Sequence, residues 1–335
     1  MKAAFQGVHG AYSELASKQL LGPKIVTLPC ESFEDVFDAV AKGKAERGIL
    51  PIENSLAGSI HQNYDLLLAR NLHIVGEVHL KVEHVLMCHP SASLKAITQV
   101  RSHPQALAQC SRFFAETKRI KPVVFFDTAG AAESLVAEAP AHIGAIASAY
   151  ASELYHLKVL KRNLQNQPNN FTRFLAVAKK PLSARPRSDK VGSDKVGSDK
   201  VGSGKIGSGK ADFPTGTAAG FKTSIAFMPS RNQVGILFNI LGVFALRRID
   251  LLKIESRPNP LSPFEYWFYV DFAGRMGDPE VDQALAQLQG MVSKLKILGS
   301  YPRAVSAAGR PVPASGAKAS IASKALFSST HKKGR

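Results

Sequence analysis

Ser188-Asp189-Lys190-Val191-Gly192 opens a tandem run: the same five residues recur at 193–197 and 198–202, and the variants SGKIG and SGK continue the pattern to Lys210. Gly and Ser alternating with Lys and Asp bury too little apolar surface to offset chain entropy, and a five-residue period is too short for a stacking repeat. The run reads as a linker, and it decides the organisation of the chain. One folded unit precedes it (1–180), a second follows it (221–303), the linker itself spans 181–220, and a basic tail covers 304–335. A length of 335 residues with 45% hydrophobic content suits two cores.

Toward the N-terminus, short apolar runs alternate with helical patterns. Ala3-Ala4-Phe5 precedes a helix over Tyr12–Leu21, Ile25-Val26 precedes Phe33–Ala41, and Gly48–Ile52 precedes a helix near 60–69. That rhythm predicts an α/β unit with a largely parallel sheet. Longer strands are expected from Val75 to Cys88, then helices over Gln105–Glu116, Thr128–Ala137 and Ala145–Glu153. Crossings near 80 and 160 would divide this unit into two lobes, with a ligand in the crevice between them. Toward the C-terminus, Lys222–Met228, Val234–Leu246, Leu251–Ser256, Phe264–Phe272, Pro279–Lys294 and Lys296–Tyr301 read as strand, helix, strand, strand, helix, strand. This is the βαββαβ order of a ferredoxin-like unit. Pro279 follows Asp278 as N-cap and opens its helix.

The formal net charge of +17 is unevenly spread. Nine Lys/Arg against four Asp lie between Lys180 and Lys222, and seven Lys/Arg against no acid between Arg303 and Arg335. The rest carries 27 basic and 22 acidic residues, which gives no basic face of the kind that nucleic acid or an anionic membrane would require. Neither is expected as a partner. Cys30, Cys88 and Cys110 are odd in number and far apart, which suits a reducing compartment. With no apolar leader after Met1 and no long apolar span, a cytoplasmic location is expected.

Several polar runs punctuate the first unit. Gly7-Val8-His9-Gly10-Ala11-Tyr12-Ser13-Glu14 joins a strand to a helix, with glycine spacing unlike that of a dinucleotide fingerprint. Pro51–Ile60 (PIENSLAGSI) follows a buried strand, where capping is the simplest role for its Asn and Ser. Ser102-His103-Pro104-Gln105 leads a helix on which Gln105 and Gln109 share a face. His84, Cys88 and His89 make a poor metal set, because on a strand 84 and 88 share a face that 89 does not. Asn169-Asn170-Phe171-Thr172-Arg173-Phe174 enters a strand, with Thr172 and Phe174 on one side and Phe171 and Arg173 on the other.

Taken one by one, these runs read as ordinary turns and strand ends. In order, they resemble the prephenate dehydratases across almost the whole folded chain: Gly7–Glu14, the PIENS run with Gly58-Ser59-Ile60, Ser102–Gln105 with Gln109, and Asn170–Phe174. The second unit is similar to the ACT regulatory domain of those enzymes, through Gly235-Ile236-Leu237-Phe238 and Glu255-Ser256-Arg257-Pro258. Ile236 departs from the alanine usual there and adds bulk beside the expected effector site. The linker and tail lie outside the resemblance.

The resemblance implies a two-lobed, periplasmic-binding-protein-like catalytic domain with an ACT domain, and a hydro-lyase activity. Prephenate loses hydroxide from C4 and carbon dioxide from C1 to give phenylpyruvate, and aromatisation drives the reaction. Thr172, Asn54, Ser102, Gln109 and Arg173 are then the expected catalytic residues, Thr172 as a hydrogen-bond donor and Arg173 as a carboxylate clamp. Glu53, Ser55, Asn170 and Phe171 would contact substrate. No metal or organic cofactor is implied. Phenylalanine is the expected effector, bound near Gly235–Phe238 and Glu255–Pro258 between copies of a homodimer or homotetramer. The alternatives are arogenate dehydration, forming phenylalanine directly, and a non-catalytic amino-acid sensor.

Overall fold

A computed structural model describes residues 1–182, 220–230, 233–259 and 262–304. The SDKVG repeats and nearly all of the basic tail therefore fall outside the described residues. The chain begins β1 (Lys2–Gln6), α1 (Tyr12–Leu21), β2 (Val26–Cys30), α2 (Phe33–Ala41), β3 (Arg47–Asn54), β4 (Gly58–Ser59), α3 (His61–Ala69) and β5 (His73–Lys81). Local chemistry sets several of these boundaries. Ser32 and Asp35 form a reciprocal capping box at the start of α2, whose Val36, Phe37 and Val40 are buried against the sheet.

The chain then crosses to a second sheet through β6 (Val85–Cys88), β7 (Gln99–Ser102), α4 (Pro104–Gln109), α5 (Ser111–Glu116), β8 (Lys121–Val124), α6 (Thr128–Glu138), β9 (Ile143–Ala147), α7 (Ala149–Leu154) and β10 (Lys158–Lys161), and returns as β11 (Phe171–Ala178). The first sheet runs β2-β1-β3-β11-β5 with β4 beside β3, and the second runs β10-β6-β9-β7-β8. Both are mixed, where a largely parallel sheet was expected. Strand β1 is parallel to β2 and β3, but β11 lies antiparallel between β3 and β5 because it re-enters from the far sheet.

Three helices were misread from sequence: the one expected over Pro279–Lys294 ends at Gln289, with Val292–Lys294 already in the strand that follows, and two others lie in the first unit. Residues 145–153 split into β9 and α7, since all of Ile143–Ala147 is buried between β6 and β7 and the alanines there fill a central strand. The helix expected over 105–116 breaks at Cys110, whose ψ of 18° departs from helical geometry.

After the linker come β12 (Phe221–Pro229), α8 (Ile236–Ala245), β13 (Leu251–Pro258), β14 (Tyr266–Ala273), α9 (Pro279–Gln289) and β15 (Val292–Pro302). They form an antiparallel sheet ordered β13-β14-β12-β15. Ile240, Val243 and Phe244 of α8 and Val281 and Leu288 of α9 bury one face against Ile225, Phe227, Val270 and Phe272. The other face, through Ala226, Tyr269, Leu298 and Tyr301, shares a core with Leu50, Ile52, Ile74 and Leu175 of the first sheet. Strand β15 comes so close to β5 that a Cβ at Gly299 would overlap the Ile74 carbonyl. Lys296 Nζ donates to the carbonyls of Leu67, Leu68 and Arg70, neutralising the C-terminal end of α3.

Buried charge completes this junction. Arg173 on β11 pairs with Glu77 on β5 at 2.8 Å and with Asp271 on β14 at 2.6 Å, and donates to Tyr301 Oη at 3.0 Å. Lys222 reaches Glu77 at 2.9 Å, and the backbone amide of Ala304 reaches the other Glu77 oxygen at 3.0 Å. Burial alone would raise the Glu77 carboxyl, but Arg173 and Lys222 outweigh it and hold the group down at about 2. Burial also lowers neighbouring His79 to about 4.

Both shifts carry the same sign. Between its ordinary value and about 4, His79 is protonated in the unfolded chain and neutral in the folded one, so stability falls as pH drops through that window. Glu77 adds a second loss, as pH falls from its ordinary value toward about 2. Each stage is expected to remove on the order of 3 kcal/mol. Urea unfolding at stepped pH should show a decline beginning near pH ~6.5, and the upper part should shrink in His79→Gln. An unchanged slope in that variant would contradict the assignment.

Candidate active site

The cleft between the first two sheets is built from strand and helix ends. Thr172 sits in direct register with Asn54 across β11 and β3, so their side chains are neighbours on one face. The glycine turn before α1 closes one end: Gly7 and Gly10 have φ of 111° and 88°, a region that L side chains rarely adopt. Gly10 N donates to buried Glu14 at 2.7 Å, while Ser148 Oγ and Tyr155 Oη of the second sheet's helix donate to the carbonyls of Gly10 and His9. The turn thus ties the two sheets together beside a cavity of about 260 Å³ lined by Tyr12, Asn54, His84, Gln109, Thr128 and Thr172, among others.

Backbone donors fix the polarity of the hydrogen bonds there. Asn54 Oδ1 accepts from the amides of Leu56 and Ala57 at 3.0 and 2.9 Å, so Asn54 Nδ2 must face the other way. It donates to Thr172 Oγ at 2.9 Å and to Asn170 Oδ1 at 2.8 Å. Asn170, fully buried, then donates from Nδ2 to Gln109 Oε1 at 2.9 Å. With its oxygen already accepting, the Thr172 hydroxyl keeps its hydrogen for a ligand. With Oε1 turned inward, Gln109 presents its amide nitrogen to the cleft.

Four of the expected site residues, Asn54, Gln109, Asn170 and Thr172, form this connected set. The others lie elsewhere. Arg173 stands on the opposite face of β11, as alternation requires, where Glu77, Asp271 and Tyr301 take up its donors. The expectation that it clamps a substrate carboxylate is thereby corrected. Glu53, Ser55 and Phe171 line, with Arg173, a separate cavity of about 200 Å³ against the βαββαβ unit. Glu53 pairs with Lys253 at 3.2 Å, and Ser55 Oγ accepts from Phe171 N at 2.9 Å. Ser102 is fully buried and donates to the Ile146 carbonyl, stitching β7 to β9 rather than lining the cleft.

In the second unit, Glu255 accepts from Ser59 Oγ at 2.7 Å and lies 3.2 Å from His61, and Arg257 pairs with Asp65 at 2.7 Å. Those side chains face the first unit. Ser256 and Pro258 are exposed along β13, which is an edge strand, and Phe238 is exposed on α8 while Ile236 and Leu237 are half-buried. Gly235 precedes α8 in the left-handed region at φ 79°.

Residues 3–182 match the family model described as prephenate dehydratase. The chain belongs to that family. It is 41% identical over 317 residues to "Arogenate dehydratase 1" of Petunia hybrida, covering 90% of this chain and 67% of that one. It is 40% identical over 311 residues to "Arogenate dehydratase/prephenate dehydratase 2, chloroplastic" of Arabidopsis thaliana, covering 90% and 73%. Among solved structures, a prephenate dehydratase of Arthrobacter aurescens in complex with L-Phe is 26% identical with a TM-score of 0.74, covering 94% and 93%. A structure described as GqqA, a novel type of quorum quenching acylase, is 34% identical with a TM-score of 0.75, covering 90% and 98%. The chain is thus a dehydratase of the prephenate and arogenate class, a lyase of aromatic amino-acid biosynthesis. Among the described residues, no helix is long and apolar enough to cross a membrane.

Residue-by-residue reading missed His84 and underused Tyr12. Tyr12 stood inside the quoted Gly7–Glu14 run, and His84 was weighed only as a metal ligand. Nothing local signals the contact of His84 with Gln109, 25 positions on, or that of Tyr12 with His84, 72 positions on.

Proposed function

We propose that this cleft converts prephenate to phenylpyruvate, carbon dioxide and water, with the Thr172 hydroxyl as donor to the departing C4 oxygen. The observation that carries the reading is the polarity of the Asn54–Thr172 bond, which commits the threonine hydrogen to the cleft. The substrate dianion takes up one proton overall, as hydroxide leaves as water and the carboxylate leaves as carbon dioxide. A donor already in place strengthens as charge builds on that oxygen and needs no reorganisation. Gln109 supplies a second neutral donor through its amide nitrogen.

The absence of a clamp on the carboxylate also fits. Among the described residues lining the cleft there is no lysine or arginine. A cation held against the departing carboxylate would stabilise the ground state more than a transition state in which that charge moves into the ring. Main-chain N–H groups at the start of α1, at Tyr12 and Ser13, offer weaker anchorage for an anion.

Arogenate is the second reading, and one residue favours it. Asp127 is the single carboxylate among the described lining residues and would suit a substrate ammonium. Its oxygens already face Ala129 N at 3.2 Å, Thr128 Oγ1 at 3.4 Å and Val8 N at 3.5 Å, which is why prephenate is preferred here. The ratio of kcat/KM for the two substrates decides between them: a ratio above one supports prephenate, and a ratio below one that rises in Asp127→Asn supports arogenate. Acyl hydrolysis finds little support, because the Asn54 amide donates to Thr172 and cannot take its proton.

Residues 1–180 are proposed as the two-lobed catalytic domain and 221–303 as an ACT domain that binds phenylalanine between two copies, along exposed β13 near Glu255–Pro258 and the start of α8 near Gly235–Phe238. A homodimer or homotetramer in the cytoplasm is the corresponding assembly. Calorimetry with phenylalanine tests the effector site, and no heat of binding would refute it.

A further inference from the structure

We propose that His84, braced by Tyr12, is a positioning residue that holds the Gln109 amide nitrogen in the cleft. The inference rests on the dehydratase reading for its kinetic arm alone.

His84 follows the crossing from the first sheet to the second and is buried. Its Nε2 lies 2.9 Å from Gln109 Oε1, and its Nδ1 lies 2.9 Å from Tyr12 Oη. The chain of fixed polarities reaches this ring. Gln109 Oε1 accepts from Asn170, so it faces inward as an acceptor, and the His84 bond exists only if Nε2 carries the hydrogen. Burial holds the imidazole toward its neutral form, so Nδ1 carries no hydrogen and competes with the Glu83 carbonyl for the single hydroxyl hydrogen of Tyr12. That carbonyl lies 2.7 Å from the phenol oxygen, and the phenol ring meets the imidazole edge-on at a centroid distance of 5.7 Å, so Tyr12 braces His84 through the ring contact and this one shared hydrogen. Gln165 Oε1 fixes the backbone by accepting from His84 N at 3.0 Å.

The consequence falls on Gln109. Two donors, from Asn170 and His84, occupy its oxygen, so the amide plane and its inward face are both set. The amide hydrogens are then what the side chain offers to a ligand. With His84 replaced by an apolar residue, a single bond to Asn170 remains, and the amide is free to rotate about its last torsion. A buried histidine that merely filled space would have no such dependence on Gln109.

The test is a double-mutant cycle on the full chain with prephenate and with arogenate, together with a spectrum of the ring. His84→Leu is expected to lower kcat/KM about tenfold, and His84→Gln, which keeps an N–H at a similar reach, to recover most of it. In a Gln109→Ala background, His84→Leu should change kcat/KM by less than about twofold. An equal loss in both backgrounds, or no loss with Gln109 present, would overturn the proposal. Nitrogen-15 spectra of the His84 ring should show the Nε2-protonated tautomer, with that resonance moving in Gln109→Ala. An Nδ1-protonated ring would refute the proposal whether or not the protein turns over substrate. Wild-type inactivity on both substrates would instead refute the dehydratase reading, and the spectrum would still decide the role of His84.

Discussion

Thr172→Ala is expected to lower kcat by a factor on the order of 10²–10³ with little change in KM, the cost of deleting one preorganised donor to a developing oxyanion. The fold should tolerate the change. Thr172 is buried, but its hydroxyl oxygen takes one hydrogen bond, from Asn54 Nδ2, and that nitrogen keeps Asn170 Oδ1 as an acceptor. Unfolding free energy should therefore fall by no more than about 1 kcal/mol. Thr172→Ser preserves the hydroxyl and should recover most of the turnover. Steady-state kinetics beside urea unfolding would separate the two effects, and near-wild-type turnover of the alanine variant would remove Thr172 from the mechanism.

Arg173→Met should do the opposite. Its guanidinium neutralises Glu77 and Asp271, both buried, and deleting it leaves two carboxylates facing each other with Lys222 as the remaining nearby cation on Glu77. Breaking a buried pair from one side costs about 3–5 kcal/mol. The loss should appear in unfolding free energy and in the docking of the βαββαβ unit, while KM at low temperature stays within about threefold. A carboxylate clamp predicts the reverse, with KM rising steeply and stability nearly intact. Neighbours in sequence, Thr172 and Arg173 thus separate a chemical role from a structural one.

The same pair shows what was legible before any coordinates. Alternation along the strand correctly divided Thr172 and Phe174 from Phe171 and Arg173, because parity is a local property of extended backbone. Which face met the cleft was not local. It depended on Glu77 and Asp271, respectively 96 and 98 positions away from Arg173, closing over the other side. The helices Tyr12–Leu21 and Phe33–Ala41 matched their expected ends, the second opened by its Ser32–Asp35 capping box. The alanine-rich run near 145 did not, since burial between two strands overrode its helical propensity. Ser102 failed for a similar reason. Its motif placed it at a strand end, but the fold turned its hydroxyl to the Ile146 carbonyl. Gln109 and Asn54 were found only through the ordered company of motifs, and their mutual arrangement through Asn170 required the return of β11 between β3 and β5.

The most direct measurement is incubation of the purified full chain with prephenate while phenylpyruvate and carbon dioxide are followed together. The account predicts equimolar release of both, with one proton consumed per turnover and no added metal or cofactor needed. Prephenate that is consumed no faster than in the uncatalysed reaction would contradict it.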